Sequence, residues 1–302
     1  MKKNLLSPAA RGNLLLILTA FIWGVAFVAQ KEGGTAVGDF TFNGVRFLLG
    51  GGLLAVCLPL LDKIGLTHRC ATPESKKAMW LGGVLCGIAL WAASNLQQLG
   101  LATTSAGKGG FITALYIVLV PIFGLFIKRR TNLFTWISVL LAMVGLYLLC
   151  MQGESGINGG DLLVLACAPI FAIQILLVDH FVPHTDGVRL SCIQFFTVGI
   201  LNMPLMFIFE QPSLSAMVDG WLPILYAGLL SSGVAYTLQV VAQKHTHPTT
   251  ASVLMSLESV FAVLAGLVLM GERLTAWEWC GCAVMFAAVI LAQLPPLRKK
   301  GA

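Results

Sequence analysis

The sequence predicts an all-α membrane protein, with ten transmembrane helices arranged as two inverted five-helix repeats. Three observations carry this. Of the 302 residues, 57% are hydrophobic and only 11% charged, and the mean hydropathy is +0.87, a composition that soluble domains seldom reach. Polar loops and charges divide the chain into ten long apolar runs. Residues 96–124, LQQLGLATTSAGKGGFITALYIVLVPIFG, are echoed by residues 238–266, LQVVAQKHTHPTTASVLMSLESVFAVLAG, so that Leu96 and Gln97 fall on Leu238 and Gln239. An odd number of crossings per copy forces the second copy to enter upside down, which is the architecture of alternating-access transport. The copies divide at residues 1–151 and 152–302.

The runs lie near residues 13–30, 40–61, 78–98, 107–127, 132–150, 160–179, 190–209, 220–241, 249–270 and 276–294. Each is close to the ~20 residues that a helix needs to cross hydrocarbon, and a barrel would instead show alternating segments of about ten. The first run follows MKKNLLSPAARGN. It reads as a span rather than a cleaved leader, because the apolar stretch is long and no small-residue cleavage site follows. Glycines punctuate span two (Gly50, Gly51, Gly52), span three (Gly83, Gly87) and the opening of span four (Gly107, Gly109, Gly110). They serve either as hinges or as sites of close packing. Span six carries Pro169, which predicts a kink. Spans five and ten lack interior polar stripes and belong at the periphery, against lipid or a second copy of the chain.

Basic residues set the orientation. With the N-terminus cytoplasmic, the inner side collects Lys2, Lys3, Arg11, Lys63, Arg69, Lys76, Lys77, Lys128, Arg129, Arg130, Arg189, Lys244, Arg298, Lys299 and Lys300, while outer loops keep Lys31 and Arg273. The chain is expected in the cell membrane as a multi-pass protein with both termini cytoplasmic. The net charge of +6 therefore reflects insertion and gives no reason to expect nucleic acid. Trp80, Trp136, Trp221, Trp277 and Trp279 fall at span ends, where aromatic belts form. Seven of the eight cysteines lie in or at the ends of spans and read as small apolar packers, and Cys70 beside His68 is too sparse for a zinc site. No GxxxxGK[ST], HExxH or GxSxG stretch is present, so neither a nucleotide-driven pump nor an enzyme is expected, and no cofactor or metal.

Several motifs carry a family resemblance. TSAG at 104–107, the following FITALYIVLVP, SLESVFAVLAG in span nine, GERLT at 271–275 and VRF at 45–47 resemble the EamA-type transporters of the drug/metabolite transporter superfamily. The resemblance covers nearly the whole chain. It implies a secondary transporter, and it alone implies export and amino acids or related metabolites as substrates. Two positions depart from the pattern: the proline often found after LY and after SLE is here Ile117 and Ser259.

Side chains three, four and seven apart share a helical face. Such faces gather Thr19, Trp23 and Gln30 in span one, Asn43 and Arg46 in span two, and Trp91, Asn95 and Gln98 in span three. Span seven gathers Ser191, Gln194 and Thr197, and span eight Ser232, Tyr236, Gln239 and Gln243. The coincidence of stripes favours a central cavity over isolated interhelical hydrogen bonds. The substrate-binding candidates are Trp23, Asn43, Arg46, Trp91, Asn95, Gln98, Tyr116, Gln194, Tyr236 and Gln239.

Charges within hydrocarbon cost ~2.5–3.5 kcal/mol each at a helix centre. Glu258 lies near the midplane of span nine and is the candidate for proton coupling, the alternative being a structural carboxylate held by Arg46 or by free backbone N–H groups. Arg46 is placed either to pair with Glu258 or to receive a substrate carboxylate. Lys108, at the mouth of span four, is expected to snorkel to the outer interface. The reading is a small-metabolite transporter, with a gradient-independent facilitator as the alternative.

Overall fold

Within hydrocarbon a backbone must satisfy its own polar groups, and the helix does so locally. The computed structural model describes residues 7–68, 70–104, 106–129, 131–150, 157–269 and 275–294, and it holds helices and no strand among them. Lys2, Lys3, Arg69, Arg130, Arg273, Arg298, Lys299 and Lys300 lie outside the described residues, as does most of the GERLT motif.

In chain order the helices are α1 (Pro8–Val37), α2 (Asp39–Lys63), α3 (Pro73–Leu101), α4 (Ala106–Thr113), α5 (Tyr116–Phe126), α6 (Leu133–Cys150) and α7 (Gly159–Phe181). There follow α8 (Gly187–Phe209), α9 (Leu214–Asp219), α10 (Trp221–Leu225), a π-helical segment (Tyr226–Tyr236), α11 (Thr237–Gln243), α12 (Pro248–Met255), α13 (Glu258–Leu269) and α14 (Ala276–Ala292). Among the described residues, eight helical stretches are long and apolar enough to cross a membrane, and α6 and α14 are apolar but shorter. Caps explain several starts: Ser7 accepts from Ala10 N at α1, Thr72 from Ser75 N at α3, and Asn158 with Asp161 forms a capping box at α7.

The most extensive packing pairs α2 with α8, α3 with α7, and α6 with α14. α1 packs on α13 and the π-helical segment, while α3 also packs on α8. Small residues permit the last approach, because a Cβ on Gly83 would lie 2.6 Å from Ile193 Cγ2 and one on Gly87 would lie 2.6 Å from Thr197 Cβ. These two glycines serve close packing. The α2–α8 pair is fastened at both ends: Glu210 accepts from Phe40 N (2.9 Å), Thr41 N (2.8 Å) and Thr41 Oγ1 (2.6 Å), and Asp62 is bridged by Arg189 Nη2 at 2.6 Å.

Spans four and nine are each broken into two half-helices even though Ile117 and Ser259 replace the expected prolines. At the first break Leu115 N bonds Ile112 O (3.2 Å) and Ile117 N bonds Ala114 O (3.0 Å). At the second, Leu257 N bonds Leu254 O (3.3 Å) and Ser259 N bonds Ser256 O (3.2 Å). Each is a tightened turn within the span. Pro121 withholds the amide that Ile117 O would accept, and Ser252 and Ser256 turn their hydroxyls onto Thr249 O and Val253 O. In contrast, α7 runs continuously past Pro169.

Candidate functional site

The half-helices α5 and α13 start on facing residues. Tyr116 opens one and Glu258 the other, and the phenol donates to Glu258 Oε1 at 3.1 Å with both side chains buried. A carboxyl in the first turn of α13 also faces the positive end of that helix. The neighbouring helix α1 approaches closely here, since a Cβ on Gly24 would meet Glu258 O at 2.7 Å.

Around this pair lies a cavity of about 30 Å³, room for about one or two waters. α1 contributes Trp23, Phe27 and Gln30, α2 Arg46, α3 Gln97, α4 Thr113 and α7 Phe171, Gln174 and Ile175. Ser231 and Tyr236 enter from the π-helical segment, Gln239 from α11, and Met255 and Glu258 from α12 and α13. π-helical turns are rare and concentrate at functional sites. No lining residue comes from α6 or α14.

Each polar side chain has a defined setting. Trp23 donates from Nε1 to Ser231 O at 3.3 Å and lies against Tyr236 with ring centroids 4.5 Å apart. Arg46 is 1% exposed, donates from Nε to Asn43 Oδ1 at 2.9 Å, and sits over the rings of Phe47 (4.8 Å) and Phe42 (5.5 Å). Its Nη2 has no partner. Gln97 donates to Thr113 Oγ1 at 3.0 Å. An amide relay runs from Gln239 Nε2 to Gln174 Oε1 (3.2 Å) and from Gln174 Nε2 to Gln194 Oε1 (3.4 Å). Gln30 Oε1 and Gln239 Oε1 are also unpartnered. Buried polar atoms without partners are uncommon, and here the cavity concentrates a cationic donor, amide acceptors and a carboxyl among aromatic rings. That set is complementary to a small molecule with an anionic end and hydrogen-bond donors, for which the cavity would have to open beyond its present volume.

Trp23, Arg46, Tyr116, Tyr236, Gln239 and Glu258 line the cavity. Asn43, Trp91, Asn95, Gln98 and Gln194 do not. Asn43 donates to Asn95 Oδ1 (2.9 Å) and Ser94 O (3.1 Å) and positions Arg46 from behind. Asn95 returns a bond to Trp91 O. Gln98 donates to Gln30 O (2.9 Å) and Asp39 Oδ1 (3.0 Å), away from the cavity. Of the two arrangements open to Arg46, the pair with Glu258 is not formed among the described residues: Arg46 Nε donates to Asn43 and Glu258 accepts from Tyr116. Lys108 does not snorkel: it is buried and bridges Asp161 at 2.7 Å. Missed lining residues include Gln97, which the repeat aligns with Gln239, and Gln174, the one polar residue between Pro169 and Asp179.

Residues 10–151 and 158–294 each match the family model described as the EamA-like transporter family. An uncharacterized transporter of Archaeoglobus fulgidus is 33% identical over 93% of this chain and 85% of its own. The uncharacterized inner membrane transporter YedA of Escherichia coli is 26% identical over 90% of this chain and 87% of its own. A solved crystal structure superposes with a TM-score of 0.78 at 18% identity, covering 96% of this chain and 99% of that one.

Proposed function

Because the chain belongs to the EamA-like transporter family and is a multi-pass membrane protein, we propose that it moves a small polar metabolite by alternating access between two inverted five-helix halves, 1–151 and 152–302. The central polar cavity is the transport site, Arg46 takes the anionic end of the substrate, and Glu258 is the coupling carboxyl. Export, amino acids as the leading substrate class, a cytoplasmic position for both termini and the lack of any enzymatic reaction complete the reading.

The observation that carries it is how the cavity relates the two halves. Aligning Gln97 with Gln239 places Tyr116 on Glu258 and Thr113 on Met255, while aligning Arg46 with Gln194 places Trp23 on Phe171 and Phe27 on Ile175. Apart from Gln194, every one of these residues lines the cavity. The same correspondence sets Thr104–Asp161 beside Thr246–Asn13, both hydrogen-bonded (2.9 and 3.4 Å), and Glu210–Thr41 beside Asp62–Arg189. A site shared by inverted halves is one that rocking exposes to either side. With about 30 Å³, the cavity must open to admit a metabolite, which is what alternating access requires.

Counterflow uptake of a pooled amino-acid and metabolite panel into proteoliposomes, with and without a pH jump, tests the reading. Saturable exchange of at least one compound and its accumulation under the jump are expected. Exchange without accumulation supports a gradient-independent facilitator, and no exchange above empty liposomes removes the transport reading.

A further inference from the structure

A second concavity, unrelated to the central cavity, opens on the outside of the bundle between the end of α5 and α7, with a volume of about 860 Å³. Its wall is apolar: Phe123, Phe126 and Ile127 face Ile173, Leu176 and Leu177. Phe126 is 82% exposed and Ile127 53% exposed, exposure that suits hydrocarbon. Its rim is basic, formed by Lys128, Arg129 and His180 with one acid, Asp179.

The rim is built by a specific chain reversal. Gly124 O accepts from Ile127 N (3.2 Å) and from Arg129 N (2.8 Å), ending α5. This leaves Lys128 at φ 60°, the one non-glycine residue with positive φ among those described, a conformation that lysine adopts at a cost. Arg129 is fixed by Asp179 at 2.7 Å, so the pair is neutral and Lys128 supplies net positive charge beside the guanidinium. A planar guanidinium and an ammonium above an apolar trough match a phosphodiester carrying acyl chains.

We propose that this groove is a binding site for an anionic phospholipid, with the phosphate on Lys128 and Arg129 and an acyl chain between α5 and α7. Charge complementarity at the rim selects the anionic headgroup, and the apolar wall, continuous with the outer face of the bundle, selects a lipid over a soluble anion. The proposal is independent of the transport reading, because it concerns binding alone.

The test is native mass spectrometry of the purified full-length protein with phosphatidylglycerol or phosphatidylcholine of matched acyl chains. Phosphatidylglycerol should be retained about fivefold better, the preference expected from one basic residue. Lys128→Ala should abolish that preference and Lys128→Arg keep it, while Lys63→Ala, an exposed lysine at the end of α2, should leave it intact. Arg129 is left unchanged so that Asp179 keeps its partner. Equal retention of the two lipids overturns the site, as does an equal loss from Lys63→Ala and Lys128→Ala, which would mean diffuse surface charge. Displacement of the lipid by inorganic phosphate at equal concentration would likewise overturn it, by making the rim a site for free anions.

Discussion

Tyr116 and Glu258 occupy the same place in two helices broken in the same way, yet one is a phenol and the other a carboxyl. The two halves differ in this manner throughout: Arg46 stands opposite Gln194, Trp23 opposite Phe171 and Thr113 opposite Met255. The tie at one end of the bundle is a buried ion pair, Lys108–Asp161, with Thr104 attached, whereas the corresponding tie at the other end is the neutral bond of Thr246 to Asn13. What the halves share builds the scaffold. Where they differ, one half supplies a guanidinium and the other a carboxyl, which a cavity with two equivalent walls would lack.

Breaking the charged tie should have the largest effect. Lys108→Met leaves the Asp161 carboxylate with Thr104 and the Asn158 amide but no cation and should cost about 3 kcal/mol of stability, whereas Asn13→Ala at the neutral tie should cost about 1 kcal/mol. Chemical unfolding in detergent reads both, and equal losses would show that the two ends are not differently fastened. Next in size, Arg46→Gln gives α2 the residue that α8 carries at this place. Substrate affinity should fall about 30-fold, the equivalent of ~2 kcal/mol, with a monodisperse protein; an unchanged half-saturation in counterflow would remove Arg46 from the site.

The glycines at the two ties sharpen the comparison. A Cβ on Gly160 would crowd Thr103 Oγ1 and lie 2.5 Å from Gly100 O, while one on Gly12 would lie 2.7 Å from Thr246 Oγ1 and 3.1 Å from Ala242 O. Gly160→Ala should therefore destabilise by about 2 kcal/mol and Gly12→Ala by about half as much, again read by unfolding. Tyr116→Phe, which removes one hydrogen bond to Glu258, should likewise cost only about 1 kcal/mol while counterflow continues.

The helical runs were legible because composition alone reports what hydrocarbon tolerates, and the repeat was legible because Leu96–Gln97 and Leu238–Gln239 survive in both copies. The breaks in spans four and nine were hidden, since they occur with Ile117 and Ser259 where prolines were expected; serine hydroxyls bond back to Thr249 O and Val253 O beside the second, and Pro121 lies within α5, beyond the first. The π-helical segment was hidden as well, because widening a helix changes its hydrogen bonds and leaves its composition unaltered. Within the site, Trp23, Tyr236 and Gln239 stood out as polar or aromatic groups on apolar helices. Asn43 and Asn95 stood out equally but bond to each other. A stripe reports depth and face, and it does not reveal whether the face meets a cavity or another polar stripe. Gln194 illustrates the limit, for it lies one hydrogen bond behind Gln174 rather than on the wall. Depth likewise suggested an Arg46–Glu258 pair, which the rotation of the helices gives to Asn43 and Tyr116 instead.

The most direct test of the account compares wild type with Glu258→Gln in proteoliposomes, measuring pH-driven accumulation and counterflow of the same substrate side by side. The account predicts that the variant keeps exchange and loses accumulation. Equal accumulation by the two proteins would contradict it and leave Glu258 a structural partner of Tyr116.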